Sequence, residues 1–89
     1  MELSGKVVVV TGGASGIGTG LCRRFREEGV RALIIADLNG EAVAALADEL
    51  DAVGVILDVR DEAAMATMVS EVEAQFGQID LFCSNAGIL

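Results

Sequence analysis

The sequence predicts an α/β fold built on a doubly wound parallel sheet. Three observations carry that expectation. Apolar, strand-like runs alternate with helical patterns along the whole chain, the order that builds βαβ units. Hydrophobic residues make up 53% of the 89 residues, a surplus that fits a sheet buried on both faces, or a piece of something larger. The stretch 6–18, KVVVVTGGASGIG, passes directly from an apolar strand through a glycine-rich turn into a helix.

The elements follow in order. The first strand is expected over 6–11 and the first helix over 17–28. On that helix Ile17, Leu21 and Phe25 recur at i, i+4 and i+8 with Cys22 beside them, and Arg23, Arg24, Arg26 and Glu27 take the other faces. The arginines read as a solvated face near a helix C-terminus, where cations are favourable, and Gly29 is a natural stop. A second strand over 32–37 leads to a second helix over 40–50, with Val43, Leu46, Ala47 and Leu50 on one stripe. A third strand over 53–58 leads to a third helix over 62–76, capped by Asp61 and ended by Gly77. Its stripe is Met65, Met68, Val69, Val72 and Phe76, which reads as core. A fourth strand over 79–84 turns out at Asn85-Ala86-Gly87. Right-handed crossovers give the strand order 3-2-1-4, with the reversal between strands one and four. Ligands of such sheets bind beyond the strand C-termini at that switch point. Gly12–Gly18 and Asn85-Ala86-Gly87 then flank one site, with Asp37 and Asp58 at the same edge.

The glycine turn carries the chemistry. The first N–H groups of a helix lack internal partners and the dipole there is positive, so a strand, glycine turn and helix N-terminus in succession make an anion site. The pattern Thr11-Gly12-x-x-x-Gly16-x-Gly18 is not a literal G-x-G-x-x-G. A P-loop is excluded, because Thr19 stands where its lysine belongs and the only lysine is Lys6. Asp37 ends the second apolar run 25 residues after Gly12, close to the spacing of roughly 20 at which an acidic residue binds adenosine ribose hydroxyls. A carboxylate there repels a 2′-phosphate. Asp37 also suits a plain strand end or turn, and three glycines also suit a tight turn.

TGGASGIG resembles the TGxxxGIG motif of the short-chain dehydrogenase/reductase family. Asp37, Asp58-Val59 and Asn85-Ala86-Gly87, each after a further apolar run, extend the resemblance. It spans the whole chain, which corresponds to the N-terminal portion of a family member, part of a Rossmann-type dinucleotide-binding domain. The resemblance implies a pyrophosphate cradle at Gly12, Ser15, Gly16, Ile17 and Gly18, and ribose recognition at Asp37 and Leu38. It implies an adenine contact at Asp58 and Val59, and a turn at Asn85, Ala86 and Gly87 packed on the cofactor ribose. Ser84 stands in place of the first asparagine of the family's N-N-A-G turn. In that family NADP users often carry a basic residue before the second glycine or after the acidic one. Ser15 and Leu38 occupy those positions, so the expected cofactor is NAD. The family's Tyr-x-x-x-Lys pair is absent, as the sequence holds no tyrosine, so no catalytic residue is assigned. The parent protein is expected to exchange hydride between NAD(H) and an alcohol or ketone, and to form a homo-oligomer by family analogy.

Composition excludes other classes. A net charge of −8 disfavours nucleic acid and anionic membranes as partners. The absence of histidine removes Ser–His catalysis and histidine metal sites. Cys22 and Cys83 are far apart in sequence and read as buried free thiols of a cytoplasmic protein, with neither a disulfide nor a metal expected. No run approaches the ~20 apolar residues that span a bilayer, and the N-terminus has no signal-peptide pattern. Two other readings stand beside the leading one. One is a non-catalytic nucleotide-binding module. The other is a receiver-like domain phosphorylated on Asp58, which Thr11-Gly12-Gly13 and the lone Lys6 oppose.

Overall fold

The computed structural model of the chain describes residues 2–85. Its elements are β1 (Val7–Thr11), α1 (Gly16–Glu27), β2 (Ala32–Asp37), α2 (Gly40–Leu50), β3 (Val53–Ile56), α3 (Glu62–Phe76) and β4 (Leu81–Ser84). The four strands form one parallel sheet in the order β3-β2-β1-β4, as the sequence predicts.

Successive side chains of a strand point to opposite faces, and here that sorts one run into two cores. Val8 and Val10 join Leu33 and Ile35 under α1 and α2, packed with Cys22, Phe25 and Leu46. Val7 and Val9 join Ala32, Ile34 and Ala36 on the other face, packed with Met68 and Val72 of α3. All of β1 is buried, including Thr11, whose hydroxyl donates to the Cys83 carbonyl at 3.5 Å. β1 and β2 are therefore the hydrophobic centre, with α1 and α2 packed on one face of the sheet and α3 on the other.

Several boundaries differ from expectation, each for a local reason. β4 starts at Leu81 and not at residue 79, because the Asp80 carboxylate accepts the Val7 N–H at 2.9 Å in place of a strand carbonyl. β3 stops at Ile56, since the chain beyond Leu57 turns back on itself, with Asp61 N donating to Asp58 O at 2.9 Å. β1 starts at Val7 because Lys6 N is drawn into a turn with Leu3 O at 3.1 Å. The expected helix signals hold. Gly29 has φ +80° and follows α1, and Asp61 caps α3 by accepting from Ala64 N; Asn39, which was not among those signals, caps α2 by accepting from Ala42 N.

The inner face of α1 differs from the predicted stripe. It is Gly18, Cys22 and Phe25, and Ile17 is 74% exposed. The cause is the contact beneath the helix. Only a glycine fits where α1 meets the turn, so Gly18 faces inward and Ile17 is rotated out. The cysteines also depart from the expectation that both are buried. Cys22 is buried, but Cys83 is only half-buried, and both belong to the apolar layer under α1. Burial, with Cys83 nearby, pushes the Cys22 thiol up to about 11, so it is a packed, unreactive group.

Three helices do not cover four strands. Phe82, on the α3 face, is 38% exposed, and Ile56 at the other edge is 66% exposed. Among the described residues β4 pairs only with β1, and an unpaired apolar edge is a template for association. In residues 1–89 alone, the amides of β4 are expected to exchange roughly tenfold faster than those of Val8, Val9 and Val10. Equal protection in an exchange measurement would contradict this account of the edge.

Candidate functional site

The C-terminal ends of the strands border a cleft of about 690 Å³. The glycine turn and the start of α1 supply Gly12, Ser15, Gly16 and Ile17 to its wall. The end of β2 supplies Asp37 and Leu38, and the β3–α3 connection supplies Leu57, Asp58, Val59 and Arg60. Asn85, after β4, closes the far side. The structure thus brings together nine of the predicted positions, from four separate stretches of chain. Gly18 is not in the wall but underneath it. Ala86 and Gly87 lie outside the described residues.

Backbone constraints build the turn. Gly12 has φ +70°, a conformation that strains side-chain-bearing residues. Its N–H donates to Ala36 O at 2.7 Å, which ties the turn to β2. Its carbonyl accepts from Ser15 N at 3.2 Å, from the Ser15 hydroxyl at 2.7 Å and from Asn85 Nδ2 at 3.3 Å. Asn85 Nδ2 also donates to Ser15 Oγ at 2.9 Å, and Asn85 N donates to Thr11 O at 3.0 Å. Asn85 therefore anchors the end of β4 to the glycine turn, a role that needs no asparagine at Ser84. A Cβ on Gly18 would lie 2.1 Å from Gly12 O and 2.8 Å from Gly13 Cα. A Cβ on Gly16 would meet nothing within 4 Å, so the helix start is bare on that side.

The N-terminus of α1 has no side-chain cap. The Ser15 hydroxyl is spent on Gly12 O, and the first turn holds no acidic residue. α2 and α3 are each capped by a side chain and carry Glu41 and Glu62 in their first turns. The positive end of α1 is thus uncompensated where it meets the cleft, which suits an anionic group.

Two carboxylates face this end of the sheet. Asp37 Oδ2 accepts from Ala14 N at 3.1 Å, and Oδ1 accepts from Asn39 N at 3.2 Å. The carboxylate is therefore fastened to the glycine turn, and lone pairs remain on both oxygens. Asp58 is gripped by Arg60, with Nη2 to Oδ2 at 2.8 Å and Nε to Oδ1 at 3.0 Å. Those hydrogen bonds hold the Asp58 carboxyl down at about 2. Ala14 and Arg60 were not singled out in the sequence. The Asp-x-Arg spacing after a strand end was the available signal for Arg60. Among the described residues no group of acidic, cysteine or histidine side chains is arranged to hold a metal, and no helix is long and apolar enough to cross a membrane.

Residues 6–89 match the family model described as short chain dehydrogenase. The chain belongs to that family. Among curated relatives, 3beta-hydroxysteroid dehydrogenase 2 of Eggerthella lenta is 46% identical over 94 residues, covering 98% of this chain and 35% of the relative. The 2-dehydro-3-deoxy-L-rhamnonate dehydrogenase (NAD(+)) of a Sphingomonas species is 43% identical, over 96% of this chain and 34% of its own. Among solved structures, a 3-ketoacyl-(acyl-carrier-protein) reductase from Brucella melitensis complexed with NADH superposes with a TM-score of 0.83. It is 32% identical, with 90% of this chain and 33% of that one covered. The chain spans about a third of the length of these proteins.

Two of the three glycines of α1, Gly16 and Gly18, should separate by function. Gly18→Ala forces backbone apart and is expected to cost on the order of 1–3 kcal/mol in a denaturant melt. Gly16→Ala meets no neighbour and should leave stability within about 0.5 kcal/mol of wild type. A Gly18→Ala protein as stable as wild type would contradict the close contact.

Proposed function

We propose that residues 1–89 are the N-terminal, cofactor-binding part of an oxidoreductase domain that passes hydride between NAD(H) and an alcohol or ketone. The observation that carries the choice of cofactor is Asp37, whose carboxylate is fastened to the glycine turn through Ala14 N at 3.1 Å. A 2′-phosphate on the adenosine ribose would meet that fixed negative charge, whereas the 2′- and 3′-hydroxyls of NAD find acceptors in it. Further support comes from the names of relatives, since the Sphingomonas enzyme is named for NAD(+) and the Brucella reductase was solved with NADH.

The residues present fit the cofactor. The uncapped amides at the start of α1 take the pyrophosphate, and the bare backbone at Gly16 leaves room for it. Leu38 and Val59 offer apolar surface to the adenosine, and Asp58 accepts from the adenine edge. Asn85, in the cleft wall, backs the other ribose. When bound, the nicotinamide supplies the hydride donor or acceptor. This chain's part is to bind and orient. Proton transfer falls to residues outside 1–89, which hold no tyrosine and one lysine, Lys6, ahead of β1. The free thiols Cys22 and Cys83 support a reducing, cytoplasmic setting. Family analogy supports a homo-oligomer.

Titration of NADH and NADPH into the intact protein tests the assignment. NADH is expected to bind at least about tenfold more tightly, equivalent to ~1.4 kcal/mol. Asp37→Ala should narrow the gap by weakening NADH and relieving NADPH. Equal or tighter NADPH binding by the wild type would overturn the choice of NAD.

A further inference from the structure

We propose that Arg60 is a positioning residue that orients the Asp58 carboxylate to read the amino edge of the adenine base. This rests on the dinucleotide reading of the cleft. The two residues share the cleft wall with Val59 between them. Three ion pairs occur among the described residues. Arg23–Glu49 and Arg24–Glu28 have no atom in the cleft wall, whereas Arg60–Asp58 does.

The grip on Asp58 is multiple. Arg60 Nε reaches Oδ1 at 3.0 Å and Oδ2 at 3.2 Å, Nη2 reaches Oδ2 at 2.8 Å, and the Arg60 backbone N–H reaches Oδ1 at 2.9 Å. A planar fork held against a planar carboxylate fixes its rotation as well as its place. The backbone behind it is fixed too, since Asp58 O accepts from Asp61 N, and Asp61 caps α3. Stability is a poor explanation of the pair. The Arg60 side chain is 82% exposed, and exposed pairs contribute little. An ionised carboxylate is an acceptor only, and this one stays ionised down to about pH 2. Three N–H groups of Arg60 take three of the four acceptor positions, the longer Nε contact to Oδ2 being the weaker half of a shared bond, and the position left on Oδ2 can accept a ligand's N–H. Such a group welcomes a 6-amino purine and faces a 6-oxo purine acceptor to acceptor.

The discriminating measurement compares NADH with its hypoxanthine analogue, binding each to the intact wild-type, Arg60→Ala and Arg60→Lys proteins. Wild type should prefer the adenine form. Arg60→Ala should shrink that preference about threefold to fivefold with an unchanged melting temperature, and Arg60→Lys, lacking the fork, should recover only part of it. By carbon NMR the Asp58 carboxyl should titrate near 2 in wild type and move toward the ordinary 3.8 in Arg60→Ala. An Arg60→Ala protein with wild-type preference, or one that loses both dinucleotides equally, overturns the positioning role. Wild type that binds both without preference overturns it as well. Failure of wild type to bind either dinucleotide defeats the cofactor reading itself.

Discussion

The Gly12 peptide is the joint on which this structure turns. Its N–H is held by Ala36 at the end of β2, and its carbonyl collects Ser15 and Asn85, from the start of α1 and the end of β4. Helix α1 lies so close that only hydrogen fits at the Cα of Gly18. Two strands and a helix therefore converge on one peptide unit. The φ of +70° at Gly12 and the missing Cβ at Gly18 are the two conditions that allow it.

The shape of the cleft follows from that joint. Because Gly18 faces the turn, Cys22 and Phe25 face the sheet, and Ile17 is left at the cleft wall. Because Ser15 bonds back to Gly12, it does not cap α1, and the positive helix end stays available. Ala14, one residue earlier, turns its N–H to Asp37, so the first carboxylate is registered to the same turn. Helix dipole and carboxylate are thus set side by side. One suits a pyrophosphate and the other a sugar diol.

Much of this is legible in the sequence, and the reasons differ by residue. The strand order follows from alternating elements and right-handed crossovers. Asp37 is found by its distance from Gly12, because one strand–turn–helix–strand unit has a nearly constant length. Caps such as Asp61 declare themselves by position. The rotation of α1 does not, because periodicity sees apolar side chains, and Ile17 is apolar and yet exposed, while the buried position belongs to a residue with no side chain. Strand ends are lost for a similar reason. Asp80 ends the ladder through its carboxylate, which no hydrophobic pattern records. Arg60 reads as an ordinary surface charge until its fork is seen closed on Asp58.

In the proposed reading, the open N-terminus of α1 is an anion cradle for the dinucleotide. Amide chemical shifts of the isotope-labelled intact protein, followed as NADH is added, test it most directly. The largest movements are expected at Gly16, Ile17 and Gly18, with little change at the starts of α2 and α3, where Asn39 and Asp61 already serve as caps. NADH binding that leaves those three amides unmoved would contradict it.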